Sequence, residues 1–262
     1  MSVINFSLEG KVAIVTGGSR GIGRSIAIGL AESGADVAIA ARKPESLEEA
    51  VGAVQATGRR GLGIPTNVRE LDSLQALVDQ TKAKFGRVDI LINNAATATS
   101  NRLGRITMAE WEHIMAVNAT GTFLSTQAMF DGMVERGWGR VVNVSSLAGL
   151  QGDRYIAAYV AAEHAVIGFT KAVAAEAEDT GVTVNAVCPG YVDTPLTDET
   201  VARIMHLTGK SWQEALRSVL DKAGQSRLIR AGEVAESILK LCADERGKRN
   251  GEVVILDGSD TP

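Results

Sequence analysis

The chain has 262 residues and a formal net charge of −4; 45% of its residues are hydrophobic and 22% are charged. This composition is typical of a globular protein that buries a large core without disulfide bonds or metal. The acidic balance argues against nucleic acid or an anionic membrane surface as a partner.

No targeting or membrane-spanning segment is visible in the sequence. The first residues lack a basic region followed by an apolar stretch, and no run approaches about eighteen apolar residues. The two cysteines, Cys188 and Cys242, are typical of reduced cytosolic thiols. The cysteines and the three histidines show no metal-ligand spacing, so we predict a cytoplasmic protein without a metal site.

Seven short, mostly apolar runs alternate with longer helical patterns along the chain. Continuous apolar runs are typical of strands covered on both faces. The predicted strands span residues 11–16, 37–41, 61–65, 88–93, 140–145, 183–187 and 252–256. The alternation predicts right-handed βαβ units in an α/β fold, a Rossmann-like, doubly wound parallel sheet. No linker divides the chain, so we expect one domain over residues 1–262.

The segment from about 190 to 230 interrupts this alternation of strands and helices, because its sequence is helical and amphipathic and contains no convincing strand. Ligands of open α/β sheets bind at the carboxyl ends of the strands, where this segment follows the sixth strand. We therefore predict a helical lid around 190–230; the alternative is an ordinary packed helix pair.

Three glycines follow the first predicted strand, Gly17, Gly21 and Gly23. Gly17 permits a tight turn, Gly21 lets backbone amides approach a pyrophosphate, and Gly23 allows close packing of helix on strand. The positive end of the following helix favours the same anion. The turn therefore predicts a nicotinamide cofactor.

The end of the second strand predicts which nicotinamide cofactor is used. An acidic residue there would bind the ribose 2′-hydroxyl of NAD, but the sequence has Ala41 followed by Arg42. Arg20 in the glycine turn adds a second cation. This combination favours NADP(H), although the basic residues could also simply keep a loop soluble.

These motifs occur in the order and spacing of a known family. They comprise TGGSRGIG from Thr16, NNAA at 93–96, Asn118, Ser146, Tyr159 and PGYVDT at 189–194. The chain resembles the short-chain dehydrogenase/reductase family in its single-domain branch. Residues 157–196 are especially similar to bacterial 3-oxoacyl-carrier-protein reductases and 3-hydroxybutyrate dehydrogenases. The resemblance implies seven parallel strands, usually a homotetramer, and hydride transfer between a nicotinamide and a small-molecule carbonyl or secondary alcohol.

The resemblance also implies the site residues. Asn118 would hold a water of the proton relay, Ser146 would bind the substrate oxygen and Tyr159 would be the acid/base. The 13-residue gap to Tyr159 selects Ser146 over Ser145. Asn67 stands where the family usually has aspartate for the adenine amine, and its amide oxygen can still accept that bond. The implied cofactor-binding residues are Gly17, Ser19, Arg20, Gly21, Ile22, Gly23, Arg42, Asn67, Val68, Asn94, Ala95, Tyr159, Pro189, Gly190, Val192 and Thr194.

Glu163 departs from the family motif, which has lysine four residues after the tyrosine. A lysine there would favour the phenolate of Tyr159, whereas a carboxylate disfavours it. Three interpretations follow. The chain is a reductase impaired by Glu163, a working enzyme in which Glu163 is protonated or reoriented, or a catalytically silent NADP(H)-binding protein.

The predicted function is thus an NADP(H)-dependent ketoreductase whose activity is lowered by Glu163. No G-x-S-x-G motif points to a serine hydrolase. An apolar substrate wall is predicted from Leu147, Leu150, Tyr191, Leu196 and Met205, which suits a medium-sized, partly apolar carbonyl compound.

Overall fold

The computed structural model describes residues 7–244 and 247–259 and places seven parallel strands in one sheet. The strands are β1 (Val12–Thr16), β2 (Asp36–Ala41), β3 (Gly61–Pro65), β4 (Ile90–Asn93), β5 (Gly139–Val144), β6 (Val182–Pro189) and β7 (Val253–Leu256). Their order is β3-β2-β1-β4-β5-β6-β7. The predicted doubly wound sheet is confirmed, and no predicted strand end differs from the observed end by more than two residues.

Alternate residues of β1 explain why its sequence is continuously apolar. Ala13 and Val15 enter the core on one face of the sheet, while Val12 and Ile14 enter the core on the other. All four are at most 2% exposed. A strand buried on both faces gains from apolar residues at every position, since neither face meets water.

The helices cover both faces of this sheet. They are α1 (Gly21–Glu32), α2 (Pro44–Gln55), α3 (Leu71–Phe85), α4 (Met108–Ile114), α5 (Gly121–Glu135), α6 (Ala157–Glu176), α7 (Pro195–Thr208), α8 (Trp212–Ala223) and α9 (Ala231–Cys242). Helices α1, α2 and α9 pack on one face, and α3, α5 and α6 pack on the other. None of the described helices is long and apolar enough to cross a membrane.

The strand order reverses beside β1, and this reversal locates the site. The chain builds β1 to β3 outward in one direction, then returns to add β4 on the other side of β1. Open α/β sheets bind their ligands at the carboxyl edge beside such a reversal, where the loops after β1 and β4 begin.

The segment after β6 forms two helices, α7 and α8, as the sequence predicts. An isolated bridge between Val192 and Ile229 closes the base of this insertion. Its buried positions include Val201, Ala215 and Val219, whereas Leu207 is 73% exposed. The buried face of the α7–α8 segment is therefore formed by short side chains. Leu207, one of the large apolar residues that dominate the sequence pattern, lies outside that face.

Candidate active site

The glycine turn between β1 and α1 is shaped by close backbone approach. Gly17 and Gly21 have φ of 63° and 53°, a region that favours glycine. A Cβ on Gly23 would lie 2.3 Å from the Gly17 carbonyl oxygen, and one on Gly17 would lie 2.9 Å from Cα of Ala95. The remaining positions of the same turn are Gly18, Ser19, Arg20 and Ile22. The turn is therefore compact because its glycines lack side chains.

Asn94 clamps this turn to the loop after β4. Its Nδ2 donates to the backbone oxygens of Thr16 (3.0 Å) and Gly17 (3.1 Å). The Thr16 hydroxyl in turn accepts from the backbone N–H groups of Asn94 and Ala95, at 3.0 and 3.2 Å. The family resemblance implies that Asn94 and Ala95 bind the cofactor, but the sequence analysis did not predict that Asn94 and Thr16 hold the glycine turn together.

The N-terminus of α1 has the features of an anion site. Its N-cap residue, Arg20, makes no side-chain capping hydrogen bond, so the first N–H groups of the helix have no side-chain cap. Thr194, which precedes α7, approaches Gly21, with its Cγ2 3.4 Å from where a Gly21 Cβ would lie. The loop after β6 thus borders the glycine turn.

The end of β2 presents exposed positive charge. Arg42 is exposed and makes no ion pair within the part of the chain that the structure describes. Arg20 lies 3.7 Å from Glu199 of α7 as an exposed pair. Asn67 and Val68 follow β3 at the same edge: the Asn67 Oδ1 accepts from the backbone N–H of Arg69 at 3.3 Å.

A π-helical turn, Met115–Thr120, joins α4 to α5 and carries Asn118. Such turns are frequent at functional sites because the extra residue re-aims a side chain. Asn118 is 2% exposed and pairs with the backbone of Thr97, which follows β4. The Thr97 N–H donates to Oδ1 at 2.9 Å, and Nδ2 donates to the Thr97 oxygen at 3.0 Å.

Ser146 and Tyr159 meet at the carboxyl end of β5. Ser146 caps the short helical turn Leu147–Gly149, and Tyr159 lies in the first turn of α6. The side chain of Ser146 favours the Tyr159 phenolate and lowers the pKa of Tyr159. Burial and the negative charge of Glu163 have the larger effect and raise that pKa far above its ordinary value.

Glu163 is 2% exposed and lies one turn beyond Tyr159 on α6. Its Oε1 accepts a hydrogen bond from Nδ2 of Asn118 at 2.8 Å. Burial raises the pKa of Glu163 to about 7, although the hydrogen bond from Asn118 offsets part of the effect. The structure therefore brings Asn118, Tyr159 and Glu163 together, as the sequence predicts, and directs the carboxyl group to the amide.

The loop after β6 is held by a residue that the sequence analysis missed. Gln225, 5% exposed, accepts from the backbone N–H of Tyr191 at 2.6 Å and donates to the Tyr191 oxygen at 3.2 Å. A Cβ on Gly190 would lie 2.3 Å from the Gln225 Oε1. This clamp positions Pro189, Gly190 and Val192, and nothing in the local sequence distinguishes Gln225 from a surface glutamine.

Contacts tie the α7–α8 segment to the rest of the edge. Lys222 of α8 pairs with Asp153, which precedes α6, and Arg203 of α7 donates to the Ser100 backbone oxygen at 3.4 Å. Within residues 7–244 and 247–259, no group of three or more acidic, histidine or cysteine residues could hold a metal ion.

The comparisons with known proteins agree with this arrangement. Residues 11–204 match the family model for short chain dehydrogenases. The chain is 38% identical to a 3-oxoacyl-(acyl-carrier-protein) reductase of Vibrio cholerae, over 96% of this chain and 98% of that protein. It is 32% identical to a D-beta-hydroxybutyrate dehydrogenase of Rhizobium meliloti, over 95% and 97% of the two chains.

Solved structures show the same likeness. A variant of actinorhodin polyketide ketoreductase with NADPH superposes with a TM-score of 0.91 at 34% identity, covering 95% of this chain and 96% of that one. Levodione reductase superposes with a TM-score of 0.89 at 30% identity, covering 95% and 97%.

The fold and the match to the family model define a nicotinamide-dependent oxidoreductase acting on CH–OH or C=O groups. The chain belongs to the short-chain dehydrogenase/reductase family.

Proposed function

We propose that this protein is an NADP(H)-dependent ketoreductase that uses Tyr159 as its proton donor. The observation that carries the proposal is the placement of Ser146 directly after β5 and of Tyr159 in the first turn of α6, at the carboxyl edge of the sheet that also carries the glycine turn. A bound nicotinamide would supply the hydride to the carbonyl carbon. Tyr159 would give its proton to the carbonyl oxygen while Ser146 donates a hydrogen bond to that oxygen.

The residues present fit a dinucleotide. Gly17 and Gly23 of the glycine turn have no room for a side chain, and the α1 N-terminus has no side-chain cap that would compete with a phosphate. The remaining cofactor contacts would come from Asn67 and Val68 after β3, Asn94 and Ala95 after β4, and the loop after β6. Asn118 would hold the water of the proton relay.

NADP(H) is favoured over NAD(H) by charge. Ala41 provides no carboxylate to repel a 2′-phosphate, and the exposed Arg42 has no competing ion pair among the described residues. Arg20 could add a second contact if it exchanged its exposed 3.7 Å pair with Glu199 for the phosphate.

Glu163 is expected to lower the activity. The family lysine would stabilise the Tyr159 phenolate that forms as the proton leaves, whereas the Glu163 carboxylate raises the pKa of Tyr159. The same observation favours a second candidate function, a catalytically silent NADP(H)-binding protein.

A paired assay tests the two functions. The natural chain and the Glu163→Lys variant are compared for NADPH and NADH oxidation with β-keto esters and cyclic ketones. The ketoreductase proposal expects a slow NADPH-dependent rate that rises by about 10²–10⁴-fold in the variant. Tight NADPH binding without turnover in either protein would instead establish the silent function.

The substrate is expected to be a medium-sized, partly apolar carbonyl compound. Leu150 and Leu196 are each 39% exposed, and Leu147 lies against Gly190, where a Cβ would be 3.1 Å from its Cδ1. Tyr191 and Met205 complete the predicted wall, and α7 and α8 would act as the lid above it. A series of ketones of increasing chain length should show falling KM if this wall binds the substrate.

We also propose that the protein assembles as a homotetramer. Phe123 on α5 is 42% exposed and makes an edge-to-face contact with Phe169 of α6, and Ile255 on the edge strand β7 is 54% exposed. Large exposed apolar groups on helices and at a sheet edge are suited to contacts between copies. Light scattering should give four times the chain mass; a monomeric mass would contradict this.

A further inference from the structure

The amide of Asn118 has one possible orientation, and that orientation dictates how Glu163 is bound. The backbone of Thr97 donates to one end of the amide at 2.9 Å and accepts from the other at 3.0 Å, so oxygen and nitrogen cannot be exchanged. Nδ2 therefore also faces Oε1 of Glu163, at 2.8 Å. Because this oxygen must accept a hydrogen bond, a proton on Glu163 can only reside on Oε2.

The backbone of Glu163 cannot move away from this contact. The hydroxyl of Ser145 donates to the Glu163 backbone oxygen at 3.4 Å. Gly149 approaches so closely that a Cβ on it would lie 2.9 Å from that oxygen. The carboxyl group is thus held between the π-helical turn and the end of β5, and it makes no ion pair in the described chain.

The surroundings of Glu163 allow its carboxyl group to gain or lose a proton near neutral pH. Burial raises its pKa to about 7, and none of the neighbouring groups that affect this pKa carries a positive charge that would favour its ionisation. Tyr159 on α6, Cys188 in β6 and Tyr191 after β6 all have pKa values raised by burial and are neutral at that pH. His113 on α4, which packs against α6, is half-buried, and His164 is exposed and contacts the Val160 oxygen.

We propose that Glu163 is a positioning residue whose protonation on Oε2 permits Tyr159 to act, so that carbonyl reduction is switched on by acid and off by base. The proposal rests on the proposed ketoreductase function. When Tyr159 gives its proton to the substrate oxygen, a negative charge forms on the phenolate one helical turn from Glu163. A neutral carboxyl group tolerates that charge, whereas a carboxylate repels it.

The proton balance of the step is complete. Hydride adds to the carbonyl carbon, the Tyr159 O–H bond breaks and the new alcohol O–H bond forms. The Tyr159 phenolate then takes one proton from solvent. Glu163 stays protonated throughout, with Asn118 donating to Oε1, and one carbonyl group is reduced for each NADPH oxidised.

The test compares the natural protein with Glu163→Gln, which retains an oxygen for Asn118 and places an N–H donor where the proton would be. The matched control is Glu176→Gln, which changes an exposed carboxyl group at the far end of the same helix. Initial rates of NADPH-dependent ketone reduction are measured at about pH 6 and about pH 8, on either side of the pKa. Separately, ring-carbon NMR signals are titrated in tyrosine-labelled protein, which has three tyrosines.

We expect the natural protein and Glu163→Gln to have rates within about twofold at the lower pH, where Glu163 is mostly neutral. At the higher pH the variant should be faster by about tenfold, because only about one Glu163 in eleven is still neutral there. The Tyr159 ring signal, assigned with Tyr159→Phe, should shift with a midpoint near 7 in the natural protein and not in Glu163→Gln.

Equal pH profiles in the two proteins, or a Tyr159 signal that titrates identically in both, would overturn the proposal. A variant that is slow at both pH values would overturn it as well. If no variant reduces any ketone, the proposed control of activity by Glu163 is overturned. A Tyr159 NMR midpoint that still depends on Glu163 would then show that the proposed ketoreductase function is wrong, and not the coupling between the two residues.

Discussion

The glycine turn and the Tyr159–Glu163 turn occupy the same edge of the sheet but are built from different forces. The first is a steric arrangement: backbone atoms approach so closely that Gly23 has no room for a Cβ. The second is electrostatic: a buried carboxyl group lies one helical turn from a half-buried phenol. The cofactor end of the site should therefore be sensitive to shape, and the proton-transfer end to charge.

The largest expected effect comes from removing the phenol. Tyr159→Phe should lower kcat by about 10²–10⁴-fold, because the proton donor is lost, while the Kd for NADPH changes by less than about tenfold. Initial rates and NADPH fluorescence measure the two quantities. Tyr155→Phe, at a residue that is 52% exposed, is the control. Retained activity in Tyr159→Phe would show that Tyr159 is not the proton donor.

The charge of Glu163 should also affect folding. Its pKa is about 7 in the folded protein and 4.5 in its ordinary state, so the folded state binds the proton more tightly. Stability should therefore fall as pH rises from about 4.5 to 7 and then level off, by roughly 3 kcal/mol in total. Glu163→Gln should lack this loss, which denaturant unfolding at several pH values measures. An equal loss in Glu163→Gln would show that the carboxyl group is not held as the structure indicates.

Shape should dominate at the glycine turn. Gly23→Ala forces a Cβ to within 2.3 Å of the Gly17 oxygen, and the backbone shift should weaken NADPH binding by about 10–100-fold. Gly52→Ala is the matched control, since a Cβ there meets nothing within 4 Å and alanine suits the interior of α2. Similar Kd values for the natural protein and Gly23→Ala would contradict the steric account.

The smallest effect is expected from the exposed charge at the end of β2. Arg42→Ala should weaken NADPH binding by about tenfold and leave NADH binding nearly unchanged, because only NADPH carries the 2′-phosphate. The effect should shrink as salt is added. Lys84→Ala, which removes an exposed charge at the end of α3, is the control. Equal losses for both cofactors would argue that Arg42 does not distinguish them.

Much of this architecture was predictable because its causes are local. Strands buried on both faces have apolar runs, and helical periodicity places Tyr159 and Glu163 on one side of α6. The α7–α8 segment shows the limit of such patterns. Its helices were predicted, yet Val201 and Ala215 are its buried contacts and Leu207 is exposed, since burial depends on what lies opposite each residue.

The fold class, the glycine turn and the replacement of the family lysine by Glu163 can be recognised in the amino-acid sequence, because each depends on neighbouring residues or on a side chain's own chemistry. The assembled fold is needed to show that Asn118, 45 positions away, donates to Glu163. It is likewise needed to show that Asn94 clamps the glycine turn and that Gln225 holds the loop after β6. The physical reason is that distant contacts and burial arise only when the sheet is assembled, and burial is what brings the pKa of Glu163 to near neutrality.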